Sequence, residues 1–148
     1  MDQDRLYVGG HSAGGHLAAM MMCAQWPAFD RQLPKDLWKG GLAISGVYDL
    51  RPLVGVDWLN GDLRLDAASA AKLSPAFMSP ATRAPVMTCV GGDESSEFLR
   101  QNALLGECWS SVRDVPAPGK NHFSVVDGLA EPSSPLFQGA RRLMKLAA

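Results

Sequence analysis

One turn limits the folds open to this chain. Residues 5–10, "RLYVGG", read as a short strand stopped by glycines, and residues 13–26, "AGGHLAAMMMCAQW", read as a helix ended by Pro27. Ser12 sits between them, with Gly10 and Gly14 two residues to either side. A passage from strand to helix this short forces the central residue into a strained backbone conformation. Its neighbours two positions away must then be small to clear strand and helix. A side chain held that way points out of the carboxyl edge of a parallel sheet. The turn also leaves the amide of Ala13 free at a helix N-terminus, where it can donate to a developing oxyanion.

The rest of the chain repeats the alternation. "WKGGLAISGVYDL" holds a second strand around residues 41–45, apolar without a break, as expected of a parallel strand covered on both faces. "LRLDAASAAKLSP" contains a short helix, with Pro75 and Pro80 breaking up the segment. "APVMTCVGGDES" is a third strand with the same Gly-Gly punctuation. "SEFLRQNALLGECWSSV" is a helix for which Ser95 or Ser96 supplies the cap and Glu97 a first-turn acid. "VRDVPAP" reads as a shorter fourth strand. "SPLFQGARRLMKLAA" is an amphipathic helix with Leu136, Phe137, Leu143, Met144 and Leu146 as core contacts. The apolar residues of the helix after Ser12 nearly encircle it, which predicts burial on more than one side. Strands alternating with helices predict a single α/β domain over residues 1–148, built on a mostly parallel sheet.

Composition narrows the chemistry. Hydrophobic residues at 47% and charged residues at 20% are those of a soluble globular chain. A net charge of −1 advertises no nucleic-acid surface. No apolar run approaches the ~20 residues of a membrane helix. "MDQDRL" carries no charged-then-apolar secretory pattern, so the cytoplasm is the expected location. Cys23, Cys89 and Cys108 are an odd count without CxxC spacing and read as free thiols rather than a disulfide framework or a metal site. No cofactor is expected.

An elbow serine needs a base, and the base needs an orienting acid, in the chain order serine, acid, histidine. The chain has three histidines. His11 and His16 flank the serine on the elbow itself and read as structural. His122, in "GKNHFSVV", lies in a polar loop after the last strand and fits the base. The acid should follow the third strand, where "VGGDESSEF" offers Asp93 and Glu94 side by side. Asp49, in "SGVYDL", is a third candidate and reads as structural or pocket-lining. Tyr48, Trp58 and Phe123 could line a pocket for an aromatic group or pack in the core.

The elbow "GHSAGGHLAAM", then "ISGVYDLRPL", "LSP", "GGDESSEFLRQ" and "NHFSVV" follow one another from Arg5 to Val126. In this order they resemble the kynurenine formamidase (arylformamidase) branch of the α/β-hydrolases. The resemblance implies a serine hydrolase with Ser12 as nucleophile, His122 as base and Glu94 as acid, Asp93 being the alternative. It implies a small-molecule acyl amide or ester as substrate, N-formylkynurenine first, with a broad carboxylesterase as the other enzymatic reading. Members of that branch complete the oxyanion hole from an upstream H-G-G-x-W segment, and these 148 residues contain none. The resemblance therefore covers the C-terminal half of the fold, without the N-terminal strands. It predicts an open apolar edge on the elbow strand, self-association through that edge, and weak or absent catalysis by these residues alone.

Overall fold

The computed structural model describes residues 2–146. Its elements are β1 (Val8–His11), α1 (Ala13–Cys23), α2 (Trp26–Phe29), β2 (Gly41–Ile44), α3 (Asp57–Leu63), α4 (Ala67–Lys72), β3 (Val86–Gly91), α5 (Ser96–Cys108), β4 (Val112–Ala117) and α6 (Pro135–Leu143). Among the described residues the strands form one sheet in the order β1-β2-β3-β4. Every pairing is parallel, with Val8 opposite Gly41, Gly41 opposite Val86, and Val86 opposite Val112.

Side chains alternate across the sheet, so each strand feeds two cores. Ala43 and Val86 join Ala19, Met22, Tyr48, Leu105 and Trp109 on the face covered by α1 and α5. Ile44, Met87 and Cys89 join Val125, Leu136 and Ala140 on the face covered by α6. Strands β2 and β3 are thus sealed on both sides, which explains their unbroken apolar sequences. All three cysteines are free. Burial pushes the Cys23 thiol up to about 11 and that of Cys89 to about 12, whereas Cys108 is exposed.

Several local expectations are corrected. Helix α1 stops at Cys23, before Pro27 is reached. A proline ring clashes with the carbonyl four residues back, here that of Cys23, so Pro27 instead occupies the first turn of α2, where no amide is needed. Burial of α1 is one-sided. Gly15, Ala18, Ala19 and Met22 form the buried stripe, while Leu17 is 58% exposed. Small residues dominate that stripe because α1 lies directly on the ends of β1 and β2. On α6, Leu136 is buried and Leu143 and Met144 pack against the core, but Phe137 is half-buried and Leu146 lies beyond the helix, exposed. Among the described residues no helix is long and apolar enough to cross a membrane.

Candidate active site

The turn between β1 and α1 holds Ser12 at φ 58° and ψ −118°. A non-glycine residue in such a conformation costs about 1–3 kcal/mol and persists only where its surroundings enforce it. The enforcement is visible. The Ser12 amide donates to the carbonyl of Ile44 at 2.9 Å, and the Ser12 carbonyl accepts from the His16 amide at 3.1 Å. A Cβ on Gly10 would lie 2.3 Å from the Gly14 carbonyl oxygen, so that position must be glycine. Gly14 is different from the expectation: a Cβ there meets nothing within 4 Å. The second obligatory glycine is Gly15, whose Cβ would fall 2.7 Å from the Ile44 carbonyl, because α1 crosses the tip of β2 at that point. As the first residue of α1, Ala13 has an amide with no intrahelical acceptor, beside the serine.

His122 reaches this turn from the loop between β4 and α6. Its Nε2 lies 3.0 Å from Ser12 Oγ, and its Nδ1 lies 2.7 Å from Glu94 Oε2. With Nδ1–H donating to the carboxylate, Nε2 is left to accept the serine hydroxyl. The His122 side chain is 23% exposed, whereas that of Glu94 is fully buried. The second carboxylate oxygen of Glu94 accepts from Ser45 Oγ at 2.5 Å and from the Gly91 amide at 2.8 Å. The imidazole is flanked by rings: Phe98 at 4.5 Å, His11 at 4.7 Å and Phe123 at 5.6 Å between centroids.

The structure thus brings Ser12, His122 and Glu94 together. It does not bring Asp93, which is exposed and contributes its backbone amide to the Lys120 carbonyl. His11 and His16 serve the scaffold. His11 Nε2–H donates to the backbone carbonyl of His122 at 2.7 Å, and that of His16 donates to the Leu73 carbonyl at 2.8 Å.

Asp49 is 5% exposed, and Arg51 grips its carboxylate through Nε at 2.8 Å and Nη2 at 3.0 Å. That guanidinium holds the Asp49 carboxyl below its ordinary range. Gln101 locks the same loop. Its Oε1 accepts from the Tyr48 and Asp49 amides, and its Nε2 donates to the Asp49 carbonyl and to Glu97.

Of the two places open to Tyr48, pocket or core, it takes the core, fully buried, because this loop folds back over α5. Trp58 and Phe123 are each 80% exposed, and of these two Phe123 stands beside the His122 ring. Two participants escaped the sequence reading. Ser45 carries no spacing signal beyond its place at the end of β2, and Phe98 looks like an ordinary apolar residue of α5. Among the described residues no group of three or more His, Cys, Asp or Glu side chains is arranged to hold a metal ion.

No protein-family model matches the chain. It is 31% identical to the kynurenine formamidase of Danio rerio over 135 residues, which is 85% of this chain and 45% of that protein. With the kynurenine formamidase of Salmo salar it shares 28% identity over 149 residues, 94% of this chain and 49% of that protein. The chain therefore spans about half the length of the curated relatives it matches. Among solved structures, a candidate thioesterase from Silicibacter sp. TM1040 superposes with a TM-score of 0.76 at 37% identity, covering 88% of this chain and 48% of that one.

Proposed function

The chain has the α/β-hydrolase fold over part of that fold's length, and we propose that it hydrolyses a small acyl amide by transferring the acyl group to Ser12. The observation that carries this reading is the unbroken relay from Ser12 Oγ through His122 to the buried Glu94. In the proposed reaction Ser12 Oγ attacks the acyl carbon while His122 Nε2 accepts the hydroxyl proton. The Ala13 amide donates to the oxyanion. Collapse of the tetrahedral adduct breaks the bond to the leaving nitrogen, which receives the proton from His122. A water molecule, deprotonated in turn by His122, then releases the acid and restores Ser12. Glu94 holds the imidazole in the tautomer that accepts at Nε2 and stabilises the imidazolium formed in each half-reaction.

The preferred acyl group is formyl and the preferred leaving group an aryl amine, as in N-formylkynurenine. The similarity to two kynurenine formamidases supports this choice, and so do the Phe98 and Phe123 rings beside the base. A second reading, hydrolysis of short acyl esters or thioesters, is favoured by the 37% identity to the candidate thioesterase. The same three residues perform either reaction.

The test is a side-by-side assay of the purified protein with N-formylkynurenine, p-nitrophenyl acetate and acetyl-thiocholine, alongside fluorophosphonate labelling. Formamidase chemistry requires a higher kcat/KM for N-formylkynurenine than for either ester, and a label lost in Ser12→Ala. A preference for the ester or thioester establishes the second reading. A label that persists in Ser12→Ala rejects both.

A further inference from the structure

We propose that Ser45 is a positioning residue whose hydroxyl fixes the Glu94 carboxylate so that one chosen oxygen faces His122. The inference rests on the serine-hydrolase reading above and assigns a part in that site to a residue outside the relay.

A carboxylate on a flexible side chain can rotate, and only one orientation serves the imidazole. The Glu94 side chain is fully buried, so no solvent holds its charge in place. Burying an ionised carboxylate is costly unless its oxygens accept strong hydrogen bonds. Oε2 meets His122 Nδ1. Oε1 is pinned from two sides, by the Gly91 amide and by Ser45 Oγ. The Ser45 contact, at 2.5 Å, has the length of a charge-assisted O–H···O bond. Pinning Oε1 stops the rotation and leaves Oε2 aimed at the ring.

The backbone of Ser45 argues that the hydroxyl is there for this purpose. Ser45 has φ 47°, in the left-handed region where glycine is the unstrained choice. A serine is found there instead, 1% exposed, with its hydroxyl directed at Glu94. Its amide donates to the Cys89 carbonyl at 2.8 Å, which carries the β2–β3 pairing one residue past Ile44. The chain then turns and delivers Oγ across the tips of β2 and β3. The preceding carbonyl, that of Ile44, accepts from the Ser12 amide. A single peptide group thus ties the turn of Ser12 on one side to the end of β3 on the other.

Two variants separate the hydroxyl from the backbone. Ser45→Gly removes the hydroxyl and relieves the strain, and Ser45→Ala removes the hydroxyl and keeps the strain. Both should lower kcat by about 10- to 100-fold, the scale of one hydrogen bond to a charged group, with KM unchanged. The melting temperature of Ser45→Gly should equal or exceed that of the original protein, which shows that the loss is not unfolding. In a Glu94→Gln background the charge to be fixed is gone, so adding Ser45→Gly should cost less than about threefold. A Ser45→Gly enzyme within threefold of the original in kcat overturns the proposal. So does an undiminished loss in the Glu94→Gln background. Both outcomes are distinct from failure of the parent reading, in which the original protein itself neither turns over the substrates nor takes up the fluorophosphonate at Ser12.

Discussion

Two stretches of this chain begin with the same letters and finish differently. Val8-Gly9-Gly10-His11-Ser12 ends β1, and Val90-Gly91-Gly92-Asp93-Glu94 ends β3. Each puts its site residue four positions after the valine. In the first, the strand runs on through both glycines to His11, and the helix begins at once, so Ser12 absorbs the whole change of direction at φ 58°. In the second, the strand stops at Gly91, and Ser95 caps α5 at φ −61° and ψ 152°, so Glu94 sits in an unstrained turn. At Ser12 the strained turn presents the hydroxyl to His122, and after β3 the relaxed turn lets the Glu94 carboxylate fold inward. The glycines divide the labour too. Gly10, near the end of β1, makes room for the Gly14 carbonyl in the first turn of α1. Gly91 makes room for the Lys120 carbonyl, on the loop that carries His122. Backbone geometry after the glycines, not the glycines themselves, decides which side chain is presented and which is buried.

The largest effect is expected at Ser12. Ser12→Ala should lower kcat by roughly 10⁶-fold, because the residues of such a relay act as a unit. It should leave stability nearly unchanged, since alanine is as strained as serine at φ 58°. Ser12→Gly should be equally inactive and melt higher, by about 1 kcal/mol of relieved strain. Next comes Glu94. Glu94→Gln keeps the shape and removes the charge, and kcat should fall about 10⁴-fold as the imidazole loses its preferred tautomer. Steady-state kinetics paired with thermal melts read both effects. A Glu94→Gln enzyme within tenfold of the original would detach the second stretch from the chemistry.

Much of this was legible in the sequence because it depends on local rules. The strand–turn–helix around Ser12, the loop position of His122, the four strands and a serine cap on α5, at Ser95 or Ser96, follow from apolar runs, Gly-Gly stops and capping chemistry; the fold uses Ser95. What escaped depends on contacts between distant segments. Gly14 looked as necessary as Gly10, yet the crowding falls on Gly15, because Ile44 approaches from 29 positions along the chain. Tyr48 suited a pocket or the core equally, and what decides for the core is Gln101, 53 positions away, holding its loop there. Ser45 offered no pattern at all, since its partner Glu94 is 49 residues away. Asp93 and Glu94 could not be told apart by spacing; the family resemblance favours Glu94, and in the fold it is Glu94 that is buried with Oε2 on the His122 ring.

The glycines give the next test. Gly91→Ala and Gly10→Ala each drive a Cβ into backbone, which cannot move aside as a side chain can, and each should cost about 3 kcal/mol. Gly14→Ala, with open space around it on α1, should instead stabilise by about 1 kcal/mol, the ordinary helix preference for alanine. Chemical denaturation of the three variants checks the order. A Gly14→Ala protein as damaged as Gly10→Ala would show that both glycines of the elbow are sterically required.

The loop after β2 lies between the two strand ends, and its carboxylate sets an acid limit. The Asp49 carboxyl is held below its ordinary value by Arg51, so it binds fewer protons folded than unfolded. Its contribution is therefore complete above the unfolded value, about pH 4, and is lost as pH falls through the lower folded value. Arg51 is half exposed, which limits the effect to about 1 kcal/mol. Melts from pH 5 down to pH 2.5 should fall less steeply in Asp49→Asn than in the original protein. Parallel curves would mean that the ion pair contributes nothing to folding.

The smallest expected effect decides between neighbours. Asp93 and Glu94 carry the same charge and are adjacent in sequence, so a purely electrostatic account would weight them alike. The turn does not. Asp93 spends its amide on the Lys120 carbonyl and leaves its side chain in solvent, where water and salt screen its charge from the imidazole. Glu94 is sealed from solvent and bonded to the ring. Asp93→Asn should therefore change kcat by less than about threefold and leave the melting temperature within experimental scatter, because surface substitutions away from specific contacts stay within about 0.5 kcal/mol. The informative experiment measures both single variants in one buffer at low and at high salt. A salt-independent loss above tenfold in Asp93→Asn, with Glu94→Gln near the original, would reverse the assignment. It would mean that the turn after β3 presents its first acid and not its second.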